Sequence, residues 1–347
     1  GGAAALAGAW DGARREAVAR GLAATGLPYA QDTAARVVAA LDAYAARFMA
    51  AHRDACEATA IRREQSEELR ERRMTCLDER RKRLAALVEV LSSADAAAVD
   101  GAVEAARGLP RIEPCSDLTF LGATVRPPDD PEVARRAEAL AGPLATIEAN
   151  EDAGRYAQAL ALLESITPEV EALAYAPLVV RALRARGSLL NELSRGDEAV
   201  QPLERGYFLA RAEGLDTHAR ALAIRLTRLY GDVLAKTDLG LLWSRHAFAE
   251  VARLREPSWE SSYLTAVSAV YLRKGDFAEA EAACRRAIEL IEAQPVRSDH
   301  DLSRAHRSLA NALMRRGKYA ESRHHFERAI ELLIAALGPD HPEVADV

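Results

Sequence analysis

SAVYLRKGDFAEAEAACRRA (268–287) and ANALMRRGKYAESRHHFERA (310–329) are two copies of one pattern. In each, a small residue (Ser268, Ala310) is followed twelve positions later by another (Ala280, Ser322). Helices approach closely only where side chains are small, so this spacing predicts the crossing point of a helical hairpin. Between the small residues stand Gly275-Asp276-Phe277 and Gly317-Lys318-Tyr319, with an aromatic two positions after the glycine. Glycine ends the first helix in a left-handed turn and the aromatic plugs the hairpin. Four residues beyond the second small position come Cys284 and Phe326, and seven beyond it Ala287 and Ala329. Offsets of four and seven make one stripe on the inner helix face.

The pattern extends toward the N-terminus. GSLLNELSRGDEAVQPLERG (187–206) carries it with Gly187, Ala199, Leu203 and Gly206, and GRYAQALALLESI (154–166) is a partial copy. A degenerate copy has Gly231 and Trp243 at the same separation, with a poorer turn at Thr237-Asp238. With Ala159, Ala199, Trp243, Ala280 and Ser322 taken as equivalent, the steps are 40, 44, 37 and 42 residues. These residues resemble a tetratricopeptide array of five helical hairpins from Pro131 to Leu337, a right-handed superhelix in an all-α protein. Steps longer than the minimal repeat of about 34 residues imply longer helices and loops. The loops are expected at Leu173 to Pro177, Glu213 to Thr217, Arg255 to Trp259 and Gln294 to Asp301, most of which contain Pro, Gly, Asp or Ser. Leu337-Gly338-Pro339-Asp340-His341-Pro342 resembles the loop between the long repeats of kinesin light chains, which leads into another repeat. Together with the Gly-Gly-Ala start, this predicts a segment of a longer protein with a frayed last repeat.

The first third differs. Asp11 is the expected N-cap of a short helix ended by Thr25-Gly26-Leu27-Pro28, and Val37, Leu41, Tyr44 and Phe48 continue one helix to about Ile61. Leu77, Leu84, Leu87 and Leu91 mark a second helix, and 96–107 a third. Pro110, Pro114 and Pro127-Pro128-Asp129-Asp130-Pro131 then read as a linker. The expected organisation is a helical module over 1–109, a Pro-rich linker over 110–130 and repeats over 131–347.

Composition limits the function. The 347 residues are 49% hydrophobic and 28% charged with a net charge of -6, which excludes a disordered chain and gives no support to nucleic acid as the main partner. Between Arg62 and Arg83, nine basic and six acidic residues interleave, as on a solvated helix face held by pairs such as Glu68 with Arg72. No run approaches the roughly 18 to 20 apolar residues of a membrane helix, and the longest candidate, 172–180, is broken by Pro177.

A wider resemblance covers nearly the whole chain. It is carried by Ala9-Trp10-Asp11-Gly12-Ala13-Arg14-Arg15, Thr25-Gly26-Leu27-Pro28-Tyr29-Ala30 and Leu41-Asp42-Ala43-Tyr44. It continues in Arg53-Asp54-Ala55-Cys56, Glu64-Gln65-Ser66, Arg73-Met74-Thr75-Cys76-Leu77 and Pro114-Cys115-Ser116-Asp117. These motifs resemble the region after the catalytic domain in serine/threonine protein kinases of myxobacterial type, which ends in a helical linker and tetratricopeptide repeats. One departure is Arg63, where that family often has Gly. The resemblance implies a non-catalytic sensor region, with ATP and Mg as cofactors only if a kinase domain lies upstream. It also implies a membrane helix upstream, the repeats then lying on the extracytoplasmic side. The alternative is a free-standing scaffold or regulator in the cytoplasm; a helical hydrolase ranks third, for want of a polar constellation. No Gly-rich loop, His-Arg-Asp stretch or Asp-Phe-Gly occurs in the chain.

Cys56 and Cys76 lie at equal distances from a turn centred near Ser66, which makes a disulfide across that hairpin one reading. One continuous helix, or two buried thiols, is the other. Cys115 has a candidate partner upstream of Gly1, and Cys284 sits at a packing position. His324-His325 and His300 with His306 lack the further ligands of a four-coordinate metal site, so no metal is expected. The first helix of each hairpin is more informative. Arg181 and Arg184, Arg225 and Arg228, and Arg304 and Arg307 stand six and three residues before Gly187, Gly231 and Ala310, and Asn191 and Asn311 follow. Such a ladder on a concave face fits a protein or peptide partner with acidic groups or a terminal carboxylate, held by forked hydrogen bonds. The bland reading is a set of solvated or Glu-paired arginines. At the corresponding place before Ser268 stand Ser262 and Thr265, a gap in the ladder.

Overall fold

A computed structural model describes residues 5–122, 128, 130–254, 256–294 and 297–347. They are all-α, in two compact units, Gly1–Tyr175 and Ala176–Val347.

In the first unit, α1 (Gly12–Ala23), α2 (Ala30–Ala60), α3 (Glu67–Ser92) and α4 (Ala96–Arg107) pack together. A 3-10 turn (Glu113–Ser116) and the short α5 (Leu118–Gly122) follow, and then the antiparallel pair α6 (Pro131–Asp152) and α7 (Tyr156–Leu173). Part of the expected linker, including Pro127 and Asp129, lies outside the described residues. Asp11, Ser66, Asp95 and Asp130 cap their helices, each accepting from a backbone N–H of the first turn. The core gathers the apolar stripes read from the sequence: Val37, Leu41, Tyr44 and Phe48 of α2, Leu84, Leu87 and Leu91 of α3, and Val99 and Val103 of α4. Gly21 is required where α1 meets the end of α3, since a Cβ there would stand 2.4 Å from the Ser92 carbonyl oxygen. Arg83 of α3 ties down α6 through Glu148 and Asp152, both at 2.6 Å.

The charged stretch is indeed broken by a turn, between Ala60 and Glu67, with Arg63 in the left-handed region at φ 56°. The expected disulfide is corrected, however. Cys76 is bonded to Cys115, with Cα atoms 5.5 Å apart, and Cys56 is a free thiol. Equal distance from a turn does not make two residues face each other; helix phase does. Residues 73, 76 and 80 form one stripe of α3, and that stripe faces the segment after α4. Arg73 Nη2 donates to Ser116 Oγ at 2.9 Å and Arg80 Nε to the Arg111 carbonyl at 2.9 Å, with the disulfide between them in the stripe. Arg73 is only 6% exposed and also meets Asp54 Oδ2 at 2.6 Å and Gln65 Oε1 at 3.0 Å.

The second unit is a stack of hairpins: α8 (Ala176–Glu192) with α9 (Gly196–Ala212), α10 (Asp216–Arg228) with α11 (Thr237–Leu254), α12 (Pro257–Lys274) with α13 (Phe277–Glu292), and α14 (Asp299–Arg315) with α15 (Tyr319–Leu337). The short α16 (Pro342–Ala345) closes the chain. The expected loops are shorter than read, because the following helices start inside them, at Ala176, Asp216, Pro257 and Asp299; Arg255, Pro295 and Val296 lie outside the described residues. Gly275, at φ 91°, ends α12 by donating its N–H to the Tyr271 carbonyl at 3.0 Å, and the Asp276 N–H reaches the same carbonyl at 3.0 Å. The small positions are crossing points: Ser322 Oγ donates to the Ala310 carbonyl at 2.8 Å, and a Cβ on Gly187 would stand 2.3 Å from Leu203 Cγ.

The degenerate copy differs from the sequence reading. Helix α10 runs on into a π-helical turn, Leu229–Val233, and Gly231 within it meets Gly240 instead of Trp243. A Cβ on Gly240 would stand 2.4 Å from Gly231 Cα, so both backbones touch there. With Gly240 as the equivalent position the steps become 40, 41, 40 and 42 residues, and the apparent irregularity of the array disappears.

Candidate peptide-binding groove

The first helices α8, α10, α12 and α14, with the end of α13, enclose a groove of about 460 Å³ within the second unit. Five of the eight sequence candidates line it: Asn191, Arg225, Arg228, Arg304 and Arg307. Arg181 and Arg184 do not; they are half-buried on α8 and engaged in other interactions, while Asn311 lies beyond the groove on α14. The positions six and three residues before the crossing point therefore line the groove in α10, α12 and α14. The wall formed by α8 is built one to two turns later, from Gly187, Ser188, Asn191 and Glu192.

Charge in the groove is mixed. Besides the four arginines, the carboxylates of Glu192, Asp232 and Asp301 line it. Asp232 already meets Arg273 at 3.3 Å, and Asp301 stands 3.5 Å from Arg304. Glu192 accepts from Asn191 Nδ2 at 3.2 Å. Arg225 and Arg228 are exposed at the rim, Arg304 and Arg307 half-buried. A guanidinium held against a low-dielectric wall binds a carboxylate through two parallel hydrogen bonds, and four of them make an anion-attracting surface.

The sequence reading missed the hydroxyls. Ser258, Ser261, Ser262 and Thr265 of α12 form the stretch between the two arginine pairs, and Ser188 stands on α8. Their signal was legible, since Ser262 and Thr265 hold the register of the arginines; it reads as a gap only if arginine is the sole residue sought. Ser188 is 5% exposed and its Oγ has no hydrogen-bond partner, and Asn191 Oδ1 is likewise buried without one. Buried polar atoms carry a cost of about 1–3 kcal/mol when unpaired, so these two are places where a ligand group would be repaid.

Away from the groove, Cys284 is packed in the core, and burial pushes its thiol up to about 11. The histidines regroup. His306 of α14 meets His325 of α15, Nδ1 to Nδ1 at 2.9 Å, with His324 beside it, whereas His300 pairs with Glu343 at 3.0 Å. Burial, reinforced by His325, Arg328 and His324, lowers His306 to about 4. Among the described residues no group of three or more His, Cys, Asp or Glu is placed to hold a metal, and no described helix is long and apolar enough to cross a membrane.

Residues 261–294 and 307–343 each match a family model described as tetratricopeptide repeat. These stretches fall on the α12/α13 and α14/α15 hairpins, which are thus tetratricopeptide repeats. Among solved structures, BtubC (BKLC) from P. vanneervenii is 17% identical with a TM-score of 0.50, over 60% of this chain and 84% of that one. A Podosopora anserina protein of nearly identical TPR-like repeats, named for kinesin light chain, is 18% identical with a TM-score of 0.45, over 57% and 96%. The first likeness supports the fold and nothing beyond it. No curated protein matches the chain by sequence.

Proposed function

We propose that this chain is the protein-binding, non-catalytic region of a serine/threonine protein kinase, and that the groove of its repeats takes an acidic peptide. The observation that carries the groove reading is the convergence of Arg225, Arg228, Arg304 and Arg307, far apart in sequence, on one cavity. The kinase reading rests on the resemblance of the motifs that build α1, α2 and α3. Binding of a fluorescein-labelled peptide of alternating Asp and Glu is expected in the micromolar range and to weaken at least tenfold in Arg228→Glu and in Arg304→Glu. Equal binding by both variants and the parent would end the groove reading. A reading frame upstream of Gly1 that encodes a kinase domain and a membrane helix would support the sensor assignment; a start codon nearby without them would favour the free-standing scaffold.

The Cys76–Cys115 disulfide bears on the side of the membrane, because such bonds persist in oxidising compartments. It favours an extracytoplasmic position for the region. Denatured protein without reductant should show two free thiols, Cys56 and Cys284, and four after reduction. Four in both samples would remove this argument.

A further inference from the structure

We propose that the groove selects an acidic peptide that carries a side-chain amide, Asn or Gln, between its acidic groups. This rests on the acidic-peptide reading above and concerns the middle of the same groove.

Three of the four groove hydroxyls of α12 do not point donors at a ligand. Ser261 Oγ and Ser262 Oγ both donate to the Ser258 carbonyl, and Thr265 Oγ1 donates to the Ser261 carbonyl, each at 2.9 Å. A hydroxyl that has given its one proton to the helix backbone can offer only lone pairs. The centre of the groove is therefore rich in acceptors and its two walls, Arg228 with Arg225 and Arg304 with Arg307, are rich in donors. A uniformly acidic peptide would satisfy the walls and set acceptor against acceptor in the middle. A lysine there would supply protons but would stand between the two arginine pairs, whose four guanidiniums outnumber the three carboxylates Glu192, Asp232 and Asp301. An amide brings two N–H donors with no charge.

The dimensions are consistent. Helices α10, α12 and α14 pack in sequence, and neighbouring axes stand roughly 8–10 Å apart, so the arginine-bearing axes are about 16–20 Å apart. An extended chain rises about 3.3 Å per residue, which places the acidic groups about five residues from one another with the amide between them.

The test compares three labelled octapeptides on the full chain by fluorescence anisotropy: Asp-Glu-Gly-Asn-Gln-Gly-Asp-Glu, the same with Leu-Leu at the centre, and the same with Glu-Glu. The amide peptide is expected to bind at least tenfold more tightly than either. Ser262→Ala and Thr265→Val, which keep the helix and its packing, should erase most of that preference while leaving the Leu-Leu peptide unaffected. Equal affinities that are still lost in Arg304→Glu would overturn the amide selection and leave the acidic groove standing. No binding by any of the three would overturn both.

Discussion

Arg63 shows how one backbone angle can surface as a sequence oddity. It is exposed, in the turn between α2 and α3, and its φ of 56° is a conformation that a residue with a Cβ adopts at a cost of about 1–3 kcal/mol. Glycine, with no Cβ, adopts that angle without strain. Arg63→Gly should therefore raise stability by about 1 kcal/mol, the relief of strain exceeding the entropy that glycine adds to the unfolded chain. Chemical denaturation would read it as a higher midpoint at unchanged slope, and a lower midpoint would refute the strain. The cysteines illustrate the opposite limit at this scale. Nothing in the spacing of Cys56, Cys76 and Cys115 distinguishes one pairing from another, because the choice is made by which stripe of α3 faces the 110–116 segment. That stripe is defined by partners such as Ser116 and the Arg111 carbonyl, which are remote in sequence.

The hairpins were legible because their determinants are local. Small residues at the crossing, a left-handed glycine after the first helix and apolar offsets of four and seven all lie within about twenty residues of each other. The degenerate copy was misregistered by three positions because a π-helical turn has no sequence signature, and the true crossing partner, Gly240, is recognisable only by its contact with Gly231. The α14/α15 hairpin carries a pH dependence that its packing explains. Burial, with His325, Arg328 and His324 nearby, holds His306 at about 4 in the folded state against 6.5 ordinarily. His325 is lowered by burial, His324 and Arg285, with Glu321 and Glu281 opposing. A histidine that takes up its proton more readily when unfolded makes stability rise with pH between the two values. Stability of this hairpin should thus be full above about pH 6.5 and fall steadily as the pH drops toward about 4. His306→Gln should flatten that slope in thermal melts from pH 4 to 7; a slope unchanged by the substitution would assign the acid sensitivity elsewhere.

At the scale of the molecule, repeats couple mainly to their neighbours, so a perturbation in one compact unit should be felt there first. The Cys76–Cys115 bond closes a loop with a sequence separation of 39 residues in the unit 1–175. In the chain-entropy account a loop of that length contributes about 4 kcal/mol by restricting the unfolded chain. It joins α3 to the segment after α4, alongside the Arg73 and Arg80 contacts, and so keeps a Pro-containing segment against the helical core. Reduction removes the restriction without removing those hydrogen bonds. Amide hydrogen exchange under reducing conditions should accelerate in residues 67–122, up to about a thousandfold where opening is global to the unit, while α14 and α15 keep their protection. Cys115→Ser should reproduce the effect without reductant, and Cys56→Ser should not, because Cys56 is a free thiol. If instead Cys56→Ser accelerated exchange and Cys115→Ser did not, the hairpin pairing would be restored and the α3 stripe would have to face α2 at that turn.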